Sequence, residues 1–133
     1  MLETFADFVT ERVRGKRIVE VGVGFYLKVA LRLKEMGYEV VVVDWNEEAV
    51  KNAKKHGLVA VKDDIFNPNP QIYENAEAIY SIRPTPEMMP DLLGLARSLR
   101  KPLFIVPLTG DPIPPGMRLV EFRRIPIYVY EPR

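Results

Sequence analysis

The chain has 133 residues, 47% of them hydrophobic and 28% charged, and its formal net charge is +1. These values are typical of one soluble globular domain, and no apolar run approaches the roughly 20 residues that a membrane-spanning helix needs, so we expect no membrane association. The first residues lack the pattern of a secretion signal, and we therefore expect a cytoplasmic protein. The absence of cysteine excludes disulfides and thiolate sites, and a single histidine argues against any metal site.

Basic residues are concentrated toward the end of the chain. Residues 1–96 carry 12 basic and 15 acidic side chains, whereas residues 97–133 carry 7 basic and 3 acidic ones. Such a segment is compatible with RNA phosphate, but without a basic run or interleaved aromatic residues a solvated surface is the simpler interpretation. RNA is therefore an open partner without specific support.

Hydrophobic periodicity predicts alternating helices and strands in the first half of the chain. Apolar residues three and four apart indicate helices, and short apolar runs bounded by glycine indicate strands. The predicted elements are helix 2–13, strand 17–21, helix 25–36, strand 39–43 and a helix from Asn46 that ends before Gly57.

The second half continues the alternation and then changes character. The predicted elements are strand 58–62, loop 63–75 with one helical turn after Pro70, strand 78–82, a helix from Thr85 to Arg100 that Pro90 restarts or kinks, strand 103–107, loop 109–117, and an antiparallel pair at 119–122 and 125–130. Alternating strands and helices indicate parallel pairing through right-handed crossovers. We therefore predict a single-domain α/β fold with a doubly wound, mostly parallel, Rossmann-like sheet and a C-terminal antiparallel hairpin.

Residues 18–24, Ile-Val-Glu-Val-Gly-Val-Gly, lead from the first strand into a glycine turn. Gly22 permits a sharp turn and Gly24 permits close approach of the backbone to a ligand, as in nucleotide-binding α/β units. Counted as G-x-G-x-x-G, the third position is Leu27, which disfavours an NAD site. A tight turn that binds nothing is the alternative interpretation.

Asp44 ends the second strand 20 residues after Gly24, the offset at which an acid meets ribose hydroxyls. Because both NAD and adenosyl compounds contain ribose, Asp44 supports an adenosine-containing ligand without choosing between them. Trp45 is a candidate for stacking on adenine. The alternatives are that Asp44 caps the next helix and that Trp45 simply packs.

Glu20, Gly22, Gly24 and Tyr26, counted as acid-x-G-x-G-x-G, resemble motif I of the class I S-adenosylmethionine-dependent methyltransferases. The resemblance implies that Glu20 lies near the methionine part of the cofactor. Tyr26 replaces the last glycine, and its phenol would roof or fill that part of the pocket. Asp63-Asp64-Ile65 resembles the loop of that superfamily in which an acid, here Asp64, bonds the adenine amino group and the next residue, Ile65, flanks the ring.

The charge of Glu20 also distinguishes between NAD and S-adenosylmethionine as ligands. A carboxylate about 5 Å from a pyrophosphate costs on the order of 3 kcal/mol per charge pair at an effective dielectric of 20, whereas it attracts a methionine ammonium. This favours S-adenosylmethionine over NAD. The alternative is a surface carboxylate at a strand end.

The end of the fourth strand, Tyr80-Ser81-Ile82-Arg83-Pro84, lacks the Asn/Asp-Pro-Pro-aromatic tetrapeptide of amino-methylating members of the superfamily. N-methylation is therefore unsupported, and the catalytic residues are unknown. Arg83, whose fork suits a carboxylate or phosphate, Tyr80 and Asp111 in loop 109–117 are weak candidates.

The whole chain, and residues 80–84 in particular, is similar to the archaeal uncharacterised protein family 0146. The resemblance implies a methyltransferase-like fold and supplies no catalytic residues. Our first hypothesis is a protein that binds S-adenosylmethionine or S-adenosylhomocysteine, with methyl transfer to an unknown substrate and a partner or a second copy completing the acceptor site. A non-catalytic nucleotide-binding or interaction module is the alternative, and an NAD-binding protein is the third.

Overall fold

A computed structural model describes residues 1–133 and contains seven strands and four α-helices. The strands are β1 (Arg17–Val21), β2 (Glu39–Asp44), β3 (Val59–Lys62), β4 (Ala78–Ile82), β5 (Leu103–Val106), β6 (Arg118–Phe122) and β7 (Ile125–Tyr130). The helices are α1 (Phe5–Arg12), α2 (Lys28–Glu35), α3 (Glu47–Lys55) and α4 (Met89–Leu99). None of these helices combines the length and the apolar character that crossing a bilayer requires.

All seven strands belong to one sheet, in the order β3-β2-β1-β4-β5-β7-β6. Strands β1 to β5 are parallel, β7 runs antiparallel to β5, and β6 runs antiparallel to β7. The predicted α/β class, the mostly parallel sheet and the C-terminal hairpin are confirmed. Because the strand order reverses between β1 and β4, the carboxyl ends of these two strands flank the position at which such sheets bind ligands.

Helices cover both faces of the sheet and create two apolar cores. Helices α1, α2 and α3 pack on one face, where the rings of Phe5, Phe8 and Phe104 are in mutual contact. Helix α4 packs on the other face against Ile79 and Ile105. Strand β5 is buried along its whole length, as a central strand covered on both faces must be.

Three helix starts differ from the sequence prediction. The first helical region divides into a 3₁₀ turn over Leu2–Thr4 followed by α1. Helix α2 begins only at Lys28, because residues 25–27 complete the turn that follows the glycines. After Thr85 the chain makes a 3₁₀ turn, and α4 starts at Met89 with Pro90 in its first turn, where the missing N–H is not needed.

Candidate functional site

A cleft of about 400 Å³ lies at the carboxyl ends of β1, β2 and β3, beside the segment that follows β4. Its lining residues are Val21, Gly22, Val43, Asp44, Trp45, Asp63, Asp64, Ile65, Phe66, Thr85 and Met88. Five of the seven residues predicted to contact the cofactor are among them: Gly22, Asp44, Trp45, Asp64 and Ile65. Of the other two, Gly24 bonds to Asp44, and Glu20 is buried and is not part of the lining.

Asp44 joins the end of β2 to the glycine turn. Its Oδ2 accepts a hydrogen bond from the Gly24 N–H at 2.8 Å, and its Oδ1 accepts one from the Asn46 N–H at 2.9 Å. The helix cap is Asn46, whose Oδ1 accepts from the Glu48 N–H, so Asp44 does not cap α3 with its side chain. Each carboxylate oxygen of Asp44 keeps a second lone pair, which is what two ribose hydroxyls require.

Gly22 has a backbone conformation and surroundings that disfavour larger residues. Its φ is +73°, and a Cβ built on it would lie 3.1 Å from the Met88 Cε. The Gly22 and Val23 N–H groups both donate to the Val43 carbonyl, which holds the turn against β2. Met88 therefore closes the cleft next to the glycine turn. Met88 was not among the predicted site residues, although its position in the segment after β4 was a usable signal.

Two exposed aromatic side chains line the cleft near β2 and β3. Trp45 is 71% exposed and Phe66 is 56% exposed, while Ile65 between them in the lining is buried. Exposed rings of this size that border an apolar cleft are suited to stacking on a base.

The two neighbouring aspartates of the β3–β4 loop differ in the bonds they make. Asp63 accepts hydrogen bonds from the Asn69 N–H and, at 3.2 Å, from the Tyr73 hydroxyl, so it holds the loop in shape. Asp64 is exposed and accepts only one bond, from the Phe66 N–H to its Oδ1 at 2.9 Å. Asp64 is therefore the member of the pair with an oxygen left for a ligand.

Glu20 is buried, with an exposed fraction of 1%, and its Oε1 accepts a 2.6 Å hydrogen bond from the buried Tyr80 hydroxyl. Burial raises the pKa of Glu20 to about 8, and the charge of Asp44 acts in the same direction, against the opposing effect of the Tyr80 hydrogen bond. The interpretation of Glu20 as a surface carboxylate is therefore wrong. The expectation that the charge of Glu20 favours S-adenosylmethionine over NAD does not hold either, because Glu20 is largely neutral at pH 7.

Tyr26 neither roofs nor fills the cleft. It lies outside the lining, and its hydroxyl donates to the Glu3 Oε1 at 3.4 Å beside the N-terminal 3₁₀ turn. Tyr26, which replaces the last glycine of the methyltransferase motif, therefore does not occupy the space next to Gly22. The Met88 side chain occupies it instead.

None of the three weak catalytic candidates lines the cleft. Tyr80 is fully buried and therefore has no surface with which to contact an acceptor. Asp111 lies in the loop before β6, where its carbonyl accepts from the Tyr128 hydroxyl and its Oδ2 is buried without a partner. Arg83 is exposed at the end of β4 with φ of +51°, a left-handed conformation that is unfavourable for arginine.

The charge of the cleft follows from its lining. Asp44, Asp63 and Asp64 contribute three carboxylates, and no lysine, arginine or histidine lines the cleft. The electrostatic potential of such a site favours a ligand with positive charge and opposes a ligand with phosphate groups.

The sequence model of the Uncharacterised protein family (UPF0146) matches residues 1–132. The chain belongs to this family. A UPF0146 protein from the archaeon Pyrococcus horikoshii is 57% identical over 127 residues, which cover 96% of this chain and 97% of that protein.

Two solved structures share the fold of this UPF0146 chain. An RNA methyltransferase from Salinibacter ruber, in complex with S-adenosyl-L-homocysteine, superposes with a TM-score of 0.70 at 14% identity. The match covers 97% of this chain and 88% of the methyltransferase. TrmN from Thermus thermophilus gives a TM-score of 0.69 at 17% identity and covers 99% of this chain, which spans about half (48%) of TrmN. The fold is therefore that of the Rossmann-like methyltransferases.

Proposed function

We propose that the cleft binds S-adenosylmethionine and its demethylated product, S-adenosylhomocysteine. The observation that carries the proposal is the charge of the lining, three aspartates without a basic residue, next to a glycine turn bonded to Asp44. S-adenosylmethionine carries a sulfonium, an ammonium and one carboxylate, so its net charge is positive, and it has no phosphate. It therefore suits an acidic cleft. The volume of about 400 Å³ falls in the range of ordinary small-ligand sites.

The lining supports one orientation of the ligand. Asp44 accepts the ribose hydroxyls, and Trp45 and Ile65 flank the adenine ring, whose amino group donates to Asp64. The methionine part then passes Gly22, which requires the flexible Met88 side chain to move, because its Cε lies only 3.1 Å from the position of a Cβ on Gly22.

NAD fits this turn less well for two reasons. Dinucleotide sites bind pyrophosphate with free N–H groups of the glycine turn and the helix that follows it. Here the Gly24 N–H already donates to Asp44, and α2 begins only at Lys28. In addition, a phosphate charge about 5 Å from one aspartate would cost on the order of 3 kcal/mol at an effective dielectric of 20.

Calorimetric titration with S-adenosylmethionine, S-adenosylhomocysteine and NAD tests the proposal. We expect both adenosyl compounds to bind and NAD to bind at least about tenfold more weakly, a difference of 1.4 kcal/mol. Asp44→Ala should abolish binding, but it also removes two hydrogen bonds of the fold. Asp64→Asn, which leaves the glycine turn intact, should weaken binding without changing the melting temperature appreciably. Glu48→Gln, a charge change outside the cleft, should leave the affinity unchanged.

Two results would overturn the proposal. One is a preference for NAD over both adenosyl compounds. The other is the absence of binding by all three ligands to a protein that is folded by circular dichroism.

We further propose methyl transfer to an acceptor, with a partner or a second copy completing the acceptor site. In that reaction an acceptor lone pair forms the new bond to the methyl carbon, and the electrons of the broken S–C bond remain on sulfur, so positioning is the main requirement. The support is the fold, which is shared with methyltransferases.

A non-catalytic binding module is the second candidate function. It is favoured by the absence of an identified base near the cleft and by the burial of Tyr80. Transfer of labelled methyl to a component of a cell extract would support the enzyme. Tight cofactor binding without transfer to small-molecule, RNA or protein fractions would support the module.

A further inference from the structure

A second concave surface lies at the end of the sheet opposite to the cleft. It has a volume of about 670 Å³ and is bordered by the end of α4, the start of β6 and the end of β7. Because Tyr130 of β7 pairs with Leu103 at the start of β5, this surface faces the amino ends of the parallel strands. Four arginines line it, Arg97, Arg100, Arg118 and Arg133, and we refer to it as the arginine pocket.

The arginine pocket has more positive charge than its own residues neutralise. Its one acid, Glu131, already pairs with Arg118 at 2.7 Å and with Arg12 at 3.4 Å. Arg97, Arg100 and Arg133 form no ion pair with an acidic side chain, although the Arg100 guanidinium donates to the main-chain oxygen of Arg133, the last residue. Like charges that share a concave surface repel one another, and a bound anion would reduce that repulsion.

Stabilisation of the α4 C-terminus explains only part of this cluster. Arg97 lies in the last turn of α4 and Arg100 follows it, at the end of the helix where cations interact favourably with the helix dipole. Arg118 and Arg133, however, come from β6 and from the segment after β7. Three separate parts of the chain thus bring arginines to the same place.

Two backbone features hold the arginines in position. Arg100 adopts φ of +56° at the end of α4, where glycine is the usual residue, and its Nη2 donates to the Arg133 carbonyl at 3.1 Å. A Cβ on Gly116 would lie 1.9 Å from the Arg97 Nη2, so the loop passes directly against that guanidinium. The Arg97 guanidinium also lies 5.8 Å above the Tyr130 ring. Arg97 and Arg100 are therefore held by contacts with Gly116, Tyr130 and Arg133.

We propose that the arginine pocket binds the phosphate groups of a phosphorylated ligand. Guanidinium forks bind phosphate with two parallel hydrogen bonds, and a concave site with several such forks suits a diphosphate or two neighbouring phosphates of a nucleic acid. This site is separate from the acidic cleft and does not depend on the function proposed for it.

The test is a titration with pyrophosphate and, separately, with a short single-stranded RNA, at low ionic strength. We expect one or both to bind, and Arg97→Gln and Arg118→Gln each to weaken that binding at least about tenfold, because each substitution removes a charge-assisted hydrogen bond to phosphate. The matched control is Arg32→Gln, an exposed arginine of α2 that lies beside Glu3 and Glu35, and it should change the affinity less than about twofold.

The ligand whose binding responds to the pocket variants identifies the source of the phosphate. If pyrophosphate responds, the pocket takes a compact phosphorylated molecule. If only the RNA responds, it takes a nucleic acid backbone. The proposal is overturned if neither ligand binds at millimolar concentration, or if Arg32→Gln weakens binding as much as the pocket variants do.

Discussion

At the scale of single residues, the burial of Glu20 makes the stability of the protein depend on pH. The pKa of Glu20 is raised from 4.5 to about 8 in the folded state. Between these values the folded state holds a proton that the unfolded state releases, so stability is complete below the unfolded pKa and falls as pH rises through about 8. The loss has a maximum slope of about 1.4 kcal/mol per pH unit.

Glu20→Gln should remove this pH dependence. A glutamine oxygen can still accept the Tyr80 hydrogen bond, and a neutral amide carries no charge to bury. Urea unfolding at several pH values between 5 and 8 measures the effect, with the exposed Glu48→Gln as the control that keeps the slope. If the free energy of unfolding of Glu20→Gln falls with pH as steeply as that of the unsubstituted protein, Glu20 does not titrate as described.

Gly22→Ala tests the glycine turn. The substitution forces φ of +73° on a residue with a Cβ and brings that Cβ to 3.1 Å from Met88, so we expect a loss of about 1–2 kcal/mol and weaker cofactor binding. The matched substitution is Gly94→Ala in α4. A Cβ there meets nothing within 4 Å, so the substitution should stabilise the helix by up to about 1 kcal/mol. Equal effects of the two substitutions on the melting temperature would contradict this account.

At the scale of elements, the turn between β6 and β7 carries strain that can be relieved. Arg123 and Arg124 have φ of +48° and +69°, as a two-residue hairpin turn with both central residues left-handed requires, and such turns favour asparagine and glycine. Arg124→Gly should therefore raise stability by about 1 kcal/mol. Glu121→Gly in the adjacent strand β6 should lower it, because glycine weakens strand interiors. Differential scanning calorimetry of the two variants checks the opposite signs, and a lower melting temperature for Arg124→Gly would contradict the strain.

Most elements could be predicted because periodicity and glycine positions specify them locally. Strands β1 and β4 have the predicted bounds, and the hairpin is where apolar alternation placed it. The start of α2 could not be predicted, since Phe25, Tyr26 and Leu27 are as compatible with helix as with the extended turn that Gly24 begins. The predicted α-helix from Thr85 does not begin there, since the Thr85 side chain makes no capping bond and a 3₁₀ turn follows it.

At the scale of the whole molecule, strand order decides which residues meet. The parallel strands bring Gly22, Asp44 and Asp64 to one edge from distant parts of the chain, which the sequence could predict from the rule for α/β sheets. Residue type and spacing could not reveal that Glu20 is buried against the Tyr80 hydroxyl, because that contact depends on the register in which β1 pairs with β4. Nor could they show that the end of α4 and the ends of β6 and β7 converge in an arginine pocket.

The central claim, that the acidic cleft binds S-adenosylmethionine, is tested most directly by the fluorescence of Trp45, the only tryptophan of the chain. Because its ring is 71% exposed at the cleft, adenine stacking should change its emission. We predict a saturable change with S-adenosylmethionine, a weaker response to NAD, and no change in Asp44→Ala. An emission that stays constant at concentrations where calorimetry shows saturation, or a protein that NAD saturates first, would contradict the account.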